Sequence, residues 1–196
     1  TLLRVLLAAI PLVGIGWILA VTDYFGIALT FQQVIAVILG FACGAALLKH
    51  PYFEKAGIFE FVLAVVAFCS WFWMAYNFEE WVVSGDELGI DKWGPAAIAL
   101  TLMMEGLRKA AGKIIAGLVW VLVLYAFVGD YLPGVLEAAV DPPAETIHYL
   151  YYDNNGVPGL VLQVVLNLVL AFIIFGKLME VSGGTAFLTD LAMGWM

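Results

Sequence analysis

Charged side chains are scarce in this sequence. They make up 12% of the 196 residues, whereas hydrophobic residues make up 64% and the mean hydropathy is +1.03. Globular domains carry about twice that share of charge, and a soluble chain of this composition would have too little polar surface to cover itself. The composition therefore predicts an integral membrane protein.

Basic residues and cysteines are few as well. The chain has eight Lys and Arg residues in total, which argues against nucleic-acid binding. Cys43 and Cys69 lie in apolar runs, where a small buried hydrophobic side chain is favoured over a disulfide or a metal site. His50 and His148 are predicted on opposite sides of the membrane, so they cannot share a metal ion.

Recognisable catalytic motifs are missing. The sequence has no GxSxG, HExxH or CxxC motif and no phosphate-binding glycine loop. We therefore expect no catalytic, cofactor-binding or metal-binding residue in this chain, and no enzyme activity.

A few ionisable residues fall within or beside the apolar runs. Glu60 lies near the start of a run, where its side chain can reach the membrane surface. Glu105 and Arg108 are spaced i, i+3, as are Lys177 and Glu180. Because all lie near the ends of runs, ion pairs at the membrane surface are favoured over a coupling site at mid-depth.

The apolar runs are long and do not alternate, which favours membrane-spanning helices over barrel strands. We predict an all-α, polytopic membrane protein with about six transmembrane helices and the beginning of a further one at 185–196. An acidic loop is expected at 77–92, and an acidic outer-face loop with one interfacial helix at 129–156. The six predicted spans are Leu2–Val21, Phe31–Leu48, Gly57–Tyr76, Trp93–Met104, Ile114–Val128 and Val157–Met179.

Basic residues predict the orientation. Arg108, Lys109 and Lys113 form a basic turn before an apolar run, and such turns are retained on the cytoplasmic side. With a cytoplasmic N-terminus, only Lys92 of the eight basic residues lies outside, together with eleven of the sixteen acidic ones. The seven inner residues are Arg4, Lys49, Lys55, Arg108, Lys109, Lys113 and Lys177.

Two further patterns predict surface anchoring and packing. Trp and Tyr collect at headgroup depth, so an interfacial belt is expected at Trp71, Trp73, Trp81 and Trp93. Gly40 and Gly44 form a GxxxG pattern, which allows another helix to approach closely.

Three stretches carry a family resemblance. They are Glu105-Gly-Leu-Arg-Lys followed by Tyr125-Ala-Phe-Val-Gly-Asp-Tyr-Leu-Pro-Gly134; Asn155-Gly-Val-Pro-Gly159; and Phe175-Gly-Lys-Leu-Met-Glu-Val-Ser-Gly183 followed by Phe187-Leu-Thr-Asp-Leu-Ala192. In order and spacing they resemble the tripartite ATP-independent periplasmic (TRAP) transporters. The resemblance is greatest to permeases of the TAXI-associated type, in which a small membrane component is fused ahead of the large transport component.

The resemblance implies an organisation in three parts. Residues 1–110 would form a four-helix scaffold like the small component, and residues 111–155 a linking helix and acidic periplasmic loop. Residues 156–196 would begin the large transport component, so the chain is expected to be a piece of a longer protein. Packing between components is implied at Gly176, Glu180, Ser182 and Gly183, besides Gly40 and Gly44.

The resemblance also implies a function. The complete system would be a sodium-coupled secondary transporter in a bacterial or archaeal cytoplasmic membrane, importing organic acids delivered by a periplasmic binding protein. The large transport component and that binding protein would be the partners, and Na⁺ would bind elsewhere than in this chain. The family's glycine- and serine-rich re-entrant segment is absent here, so no sodium or substrate residue can be assigned. Lys109 replaces the second Arg of the family's basic pair.

Two other classes remain open from the residues alone. One is a structural or assembly subunit of another membrane complex, which would share the helices but have no transport site. The other is a membrane-embedded enzyme, which the lack of a convergent polar set within the spans disfavours.

Overall fold

The computed structural model describes residues 2–52, 57–84 and 89–194, and in these ranges it is helical with no strand. Lys55, Asp86 and Glu87 of the predicted charge pattern lie outside the described residues, as does the end of the last predicted helix. The helices are α1 Leu2–Ile18, α2 Val21–Tyr24, α3 Phe31–Lys49, α4 Ile58–Ser84, α5 Ile90–Ala111, α6 Lys113–Val128, α7 Pro143–Tyr152, α8 Leu160–Val181 and α9 Gly184–Gly194.

Four of these helices are long and apolar enough to cross a membrane: α3, α4, α8, and α6 with the short turn that follows it. This agrees with a membrane protein of the all-α class. α1 is apolar but shorter, with 17 residues. α5 has 22 residues but carries charged side chains near both ends. The predicted number of six spans and the orientation of the N-terminus stay predictions.

α3 and α4 form the centre of the bundle. Thr30 and Gln33 make a capping box that begins α3, with the Thr30 N–H donating to Gln33 Oε1 at 2.7 Å. The Gln33 amide also donates to the Ala75 carbonyl at 3.0 Å, which fixes α3 against α4. Gly40 lies at a close contact between the two helices, because a Cβ there would lie 3.1 Å from Cδ2 of Phe68. The GxxxG pattern therefore packs two helices within this chain.

The prediction of an acidic loop at 77–92 is wrong for residues 77–84, which are helical. α4 continues through Ser84, about two turns beyond the predicted end of the span at Tyr76. Phe78 and Trp81 in this extension are buried against α7, and that burial stabilises the additional turns. α5 then begins at Ile90.

The basic turn predicted before the fifth span is also wrong as a turn. α5 continues through Arg108 and Lys109 to Ala111, and the chain reverses at Gly112 alone. Gly112 has φ +92°, a backbone conformation that favours glycine. The same end of the bundle holds the C-terminal ends of α3 and α5 and the N-terminal ends of α4 and α6. We call it the basic end, because it carries Lys49, Arg108, Lys109 and Lys113.

Two apolar clusters hold the helices together. The larger one joins α3, α4, α5 and α7 around the fully buried Leu47, Trp71 and Met74. The smaller one joins α1, α3 and α8 through Ile35 and Leu166. α6 packs mainly on α5, and α9 contacts mainly α8. Both helices therefore leave most of their apolar side chains exposed.

The segment predicted as an acidic loop with one helix does contain a helix. α7 begins with Pro143, a residue favoured in the first helical turn, and it ends at Tyr152. It packs on α5, and its aromatic side chains contact those of α4. Between the sixth predicted span and the helix predicted from residue 185, α8 runs on to Val181. The interruption is confined to Ser182 and Gly183, the latter with φ +77°.

Candidate functional site

A polar cluster at the basic end combines a bidentate ion pair with a cation–π contact. Glu105 and Arg108 come from the last turns of α5, since the i, i+3 spacing places both on one face. Arg108 binds the carboxylate in a bidentate manner, from Nε to Oε2 at 2.7 Å and from Nη2 to Oε1 at 2.6 Å. The Tyr52 hydroxyl donates to Oε1 as well.

Both Glu105 and Tyr52 have shifted pKa values in this cluster. Hydrogen bonds from Arg108, with a smaller contribution from Tyr52, lower the pKa of Glu105 from 4.5 to about 2. Partial burial and then the neighbouring Glu105 raise the pKa of Tyr52 above its ordinary value of 10. Both groups therefore keep the protonation state that the hydrogen bond needs across the neutral range.

Lys109 reaches the same cluster from the next position on α5. Its ammonium nitrogen is buried and lies 3.3 Å from the centroid of the Tyr52 ring, a cation–π contact. Burial lowers the pKa of Lys109, and the nearby Glu105 and Glu60 oppose that shift. Tyr52 thus binds both a carboxylate, through its hydroxyl, and an ammonium group, through its ring.

Glu60 completes the cluster from α4. Its side chain is fully buried rather than extended toward the membrane surface, and it accepts the backbone N–H of Tyr52 at 3.0 Å and of Gly57 at 2.9 Å. The bond from Gly57 caps the helix that begins at Ile58. With Glu60, Glu105, Arg108 and Lys109 ionised, the two negative and two positive charges cancel. The cluster thus joins the α3–α4 connection to α5.

Sequence reasoning found part of this cluster. The basic pattern indicates Arg108 and Lys109 as residues that hold this end at the membrane surface. The i, i+3 spacing predicts the Glu105–Arg108 ion pair, which is present. Tyr52 was missed, because nothing in its local sequence indicates a partner 53 positions away. A glycine followed three residues later by a glutamate, as at Gly57 and Glu60, was the available signal for a helix cap. Lys113 is exposed at the start of α6 and lies outside the cluster.

The four tryptophans of the predicted belt occupy different environments. Trp71 is 0% and Trp81 5% exposed, so both pack inside the bundle and do not present their rings to the surroundings. Trp73 is 45% exposed and donates from its indole nitrogen to the Asp91 carbonyl at 3.2 Å. Trp93 is half-buried. Of these four tryptophans, Trp73 and Trp93 are thus the ones that could contribute to a surface belt.

The buried tryptophans belong to an aromatic cluster with α7. The ring centroids of Trp71 and Tyr151 are 5.0 Å apart, and those of Trp81 and His148 are 5.7 Å apart. The Tyr151 hydroxyl donates to the Ser70 carbonyl. Such aromatic pairs stabilise a contact beyond the area they bury, so α7 is a firmly docked element.

The residues with implied packing between components lie in α8 and just after it. Gly176 is exposed, with open space where a side chain would start. Glu180 forms an exposed ion pair with Lys177 at 2.8 Å. The Ser182 hydroxyl donates to the Met179 carbonyl at 3.3 Å, and Gly183 is exposed. Their packing against another component stays a prediction.

Within residues 2–52, 57–84 and 89–194, no three His, Cys, Asp or Glu side chains are grouped so that they could hold a metal ion. Comparisons with protein-family models, with curated proteins and with solved structures gave no match to this chain. The interpretation of the site therefore depends on its own geometry, which is that of a structural clamp.

Proposed function

We propose that this chain is the scaffold part of a sodium-coupled secondary transporter that imports organic acids delivered by a periplasmic binding protein. The order of motifs from Glu105 to Ala192, with its resemblance to TRAP permeases, supports this reading. The chain would lie in the cytoplasmic membrane of a bacterium or archaeon. Sodium and substrate would bind in the transport component and not among the residues of this chain.

The apolar helices are buried to very different extents, and this observation supports the proposed scaffold role. Half of the span in α3 is buried within the chain, against 11% for α6 and 6% for α8. A scaffold needs a rigid centre and an apolar surface against which a second component packs. The α3–α4–α5–α7 bundle provides the former, and the exposed side of α6 provides the latter. By the resemblance, α8 and α9 begin the transport component, and their exposed side chains form the surface on which its further helices would pack.

The end of the bundle opposite the basic end is acidic. Acidic residues cluster there, at Glu79 and Glu80 on the extension of α4 and through 129–156. α7 packs on α5 and is fixed to α4 by buried aromatic rings, so this part of the surface is firmly held. It is the surface on which we expect the binding protein to dock.

Purification from native membranes in mild detergent tests the assignment. The intact mass of the species that contains this sequence should exceed 21.3 kDa, or the chain should retain a hydrophobic partner of many helices. Membrane vesicles containing the complex should then take up an organic acid only with both a sodium gradient and the binding protein. A lone 21.3 kDa species would contradict the proposal.

The alternative is a structural or assembly subunit of another membrane complex. The polar cluster fits this alternative as well as the scaffold role, because it lies at a bundle end and its charges are mutually satisfied. Co-purification with redox subunits, with no sodium-dependent uptake, would establish that alternative.

A further inference from the structure

We propose that Asn167 on α8 forms an interhelical hydrogen bond within the membrane to a transmembrane helix from outside residues 1–196. That helix carries a hydrogen-bonding side chain at the same depth. This inference rests on the proposed function, since the resemblance places α8 at the start of the transport component. It identifies the surface of α8 on which a further helix of that component packs.

The position of Asn167 within α8 is unusual for a polar side chain. It lies seven residues after Leu160, which is roughly 10 Å along a helix of 22 residues. A span of that length reaches from one side of the hydrocarbon layer to the other. Asn167 is therefore too far from either end to reach the headgroups, unlike Lys177 nearer the end of the helix.

The carboxamide of Asn167 is exposed and unsatisfied. Among the described residues it has no hydrogen-bond partner, and neighbours such as Leu168 and Phe172 are exposed and apolar. Lipid tails offer no donor or acceptor, so an amide that faces them bears a desolvation cost without compensation. A neighbouring helix with a polar side chain removes that cost, which is how Asn and Gln side chains join helices in membranes.

The backbone around Asn167 is a second, independent observation. Residues Val165–Val169 form a π-helical turn within α8. Such turns are rare and often occur at functional positions. Asn167 is the middle residue of this turn, so the widened backbone and the unsatisfied amide coincide.

The extent of the exposed surface decides between possible occupants. Contacts to α1 and α3 use one strip of α8, centred on Leu166 and its neighbours one turn away. Exposed side chains cover most of the remaining circumference and continue along α9. A second copy of this chain, meeting α8 across a two-fold axis, would cover a single further strip. Covering the rest needs several helices, which favours a larger component.

Site-directed photo-crosslinking in native membranes tests the proposal. A benzophenone amino acid replaces the exposed Leu168, which leaves Asn167 intact, and cross-linked peptides are identified by mass spectrometry. We expect an adduct with a peptide from outside residues 1–196. Asn167→Leu should lower its yield roughly three- to tenfold, and Asn167→Gln should restore most of it.

The matched control places the same cross-linker at Val121, an exposed position on α6. Its adduct yield should not respond to Asn167→Leu. Adducts confined to lipid or to residues 1–196, or a yield at 168 that Asn167→Leu leaves unchanged, would overturn the proposal. Sodium-driven uptake is measured on the same membranes: adduct without uptake rejects the transport function alone, and uptake without adduct rejects this interface alone.

Discussion

At the scale of single residues, Glu105 is the centre of the basic end. Its two oxygens accept from both Arg108 and Tyr52. The other i, i+3 pair, Lys177 and Glu180, is about 65% exposed and has no third partner among the described residues. Exposed pairs of that kind contribute little to stability. The two pairs therefore provide a matched comparison within one chain.

Replacing Glu105 by glutamine should lower the free energy of unfolding by about 1–2 kcal/mol, because one charge-assisted interaction is lost and Arg108 keeps only a neutral acceptor. Glu180→Gln should change it by less than about 0.5 kcal/mol. Unfolding in mild detergent, followed by circular dichroism, measures both. Equal effects of the two substitutions would show that the contacts of Glu105 do not matter for stability.

The pH dependence of that difference follows from the pKa of Glu105. A carboxyl group whose pKa is lower in the folded state contributes stability above its ordinary pKa and loses that contribution as the pH falls. The difference between native protein and Glu105→Gln should thus be constant near neutrality, narrow below pH 4.5 and vanish near about 2. A difference that persists unchanged at pH 3 would contradict the assigned ionisation.

The sequence predicted those interactions that lie within one helix turn and missed those that depend on chain folding. The Glu105–Arg108 pair follows from spacing alone. The contact of Lys109 with Tyr52 joins α5 to the connection between α3 and α4. The two residues lie far apart in the sequence, so no local pattern predicts their contact. Trp71 has the same explanation: an aromatic residue near a predicted helix end suggests a surface belt, but α7 returns and covers it.

At the scale of elements, the contact between α3 and α4 is set by small residues. A side chain at Gly40 would meet Phe68 at 3.1 Å and the Trp71 Cβ at 3.4 Å. Gly117 on α6 has nothing within 4 Å of the corresponding position. The two glycines lie in helices of similar apolar character, but only the first is at a contact between helices of this chain.

Gly40→Leu should therefore lower the free energy of unfolding by about 1–3 kcal/mol, since the added side chain forces α3 and α4 apart. Gly117→Leu in the same purified chain should leave stability unchanged or raise it slightly, because leucine favours helix more than glycine does. Thermal unfolding of the two variants side by side provides the test. Similar losses would show that packing density does not distinguish these positions.

Helix type was predictable from the sequence, whereas helix length was not. Long apolar runs indicated the helices, but the extension of α4 through Ser84 is held by Phe78 and Trp81 packing on α7. That helix lies some sixty residues later in the chain, and no local pattern reports its docking. The break at Gly112 is likewise narrower than the charged stretch around it suggested, because Arg108 and Lys109 are good helix formers.

At the scale of the whole molecule, the alternating helix directions place the basic end and the acidic, α7-bearing end on opposite sides of the bundle. Lys113 is exposed at the former, and Val135 is exposed near the latter. α6 connects the two. If α6 spans the membrane, a small polar reagent should reach these two positions from opposite compartments.

Cysteine labelling in intact cells checks this orientation. In a parent in which the exposed Cys69 is replaced by alanine, Val135→Cys should react with a membrane-impermeant maleimide. Lys113→Cys should react only after permeabilisation, as expected for a cytoplasmic basic end. The reverse pattern would place the N-terminus outside, and labelling of both positions from one side would mean that α6 does not cross.

The charged ends of α5 have a consequence for biosynthesis. α5 packs along α3 and α4 with the buried small residues Ala96, Ala99 and Gly106, but its own side chains are too polar to insert alone at little cost. α3 and α4 are synthesised first and are both strongly apolar. We expect α5 to enter the bilayer as the second arm of a helical hairpin with α4, so that damage to α4 would appear as misinsertion of α5.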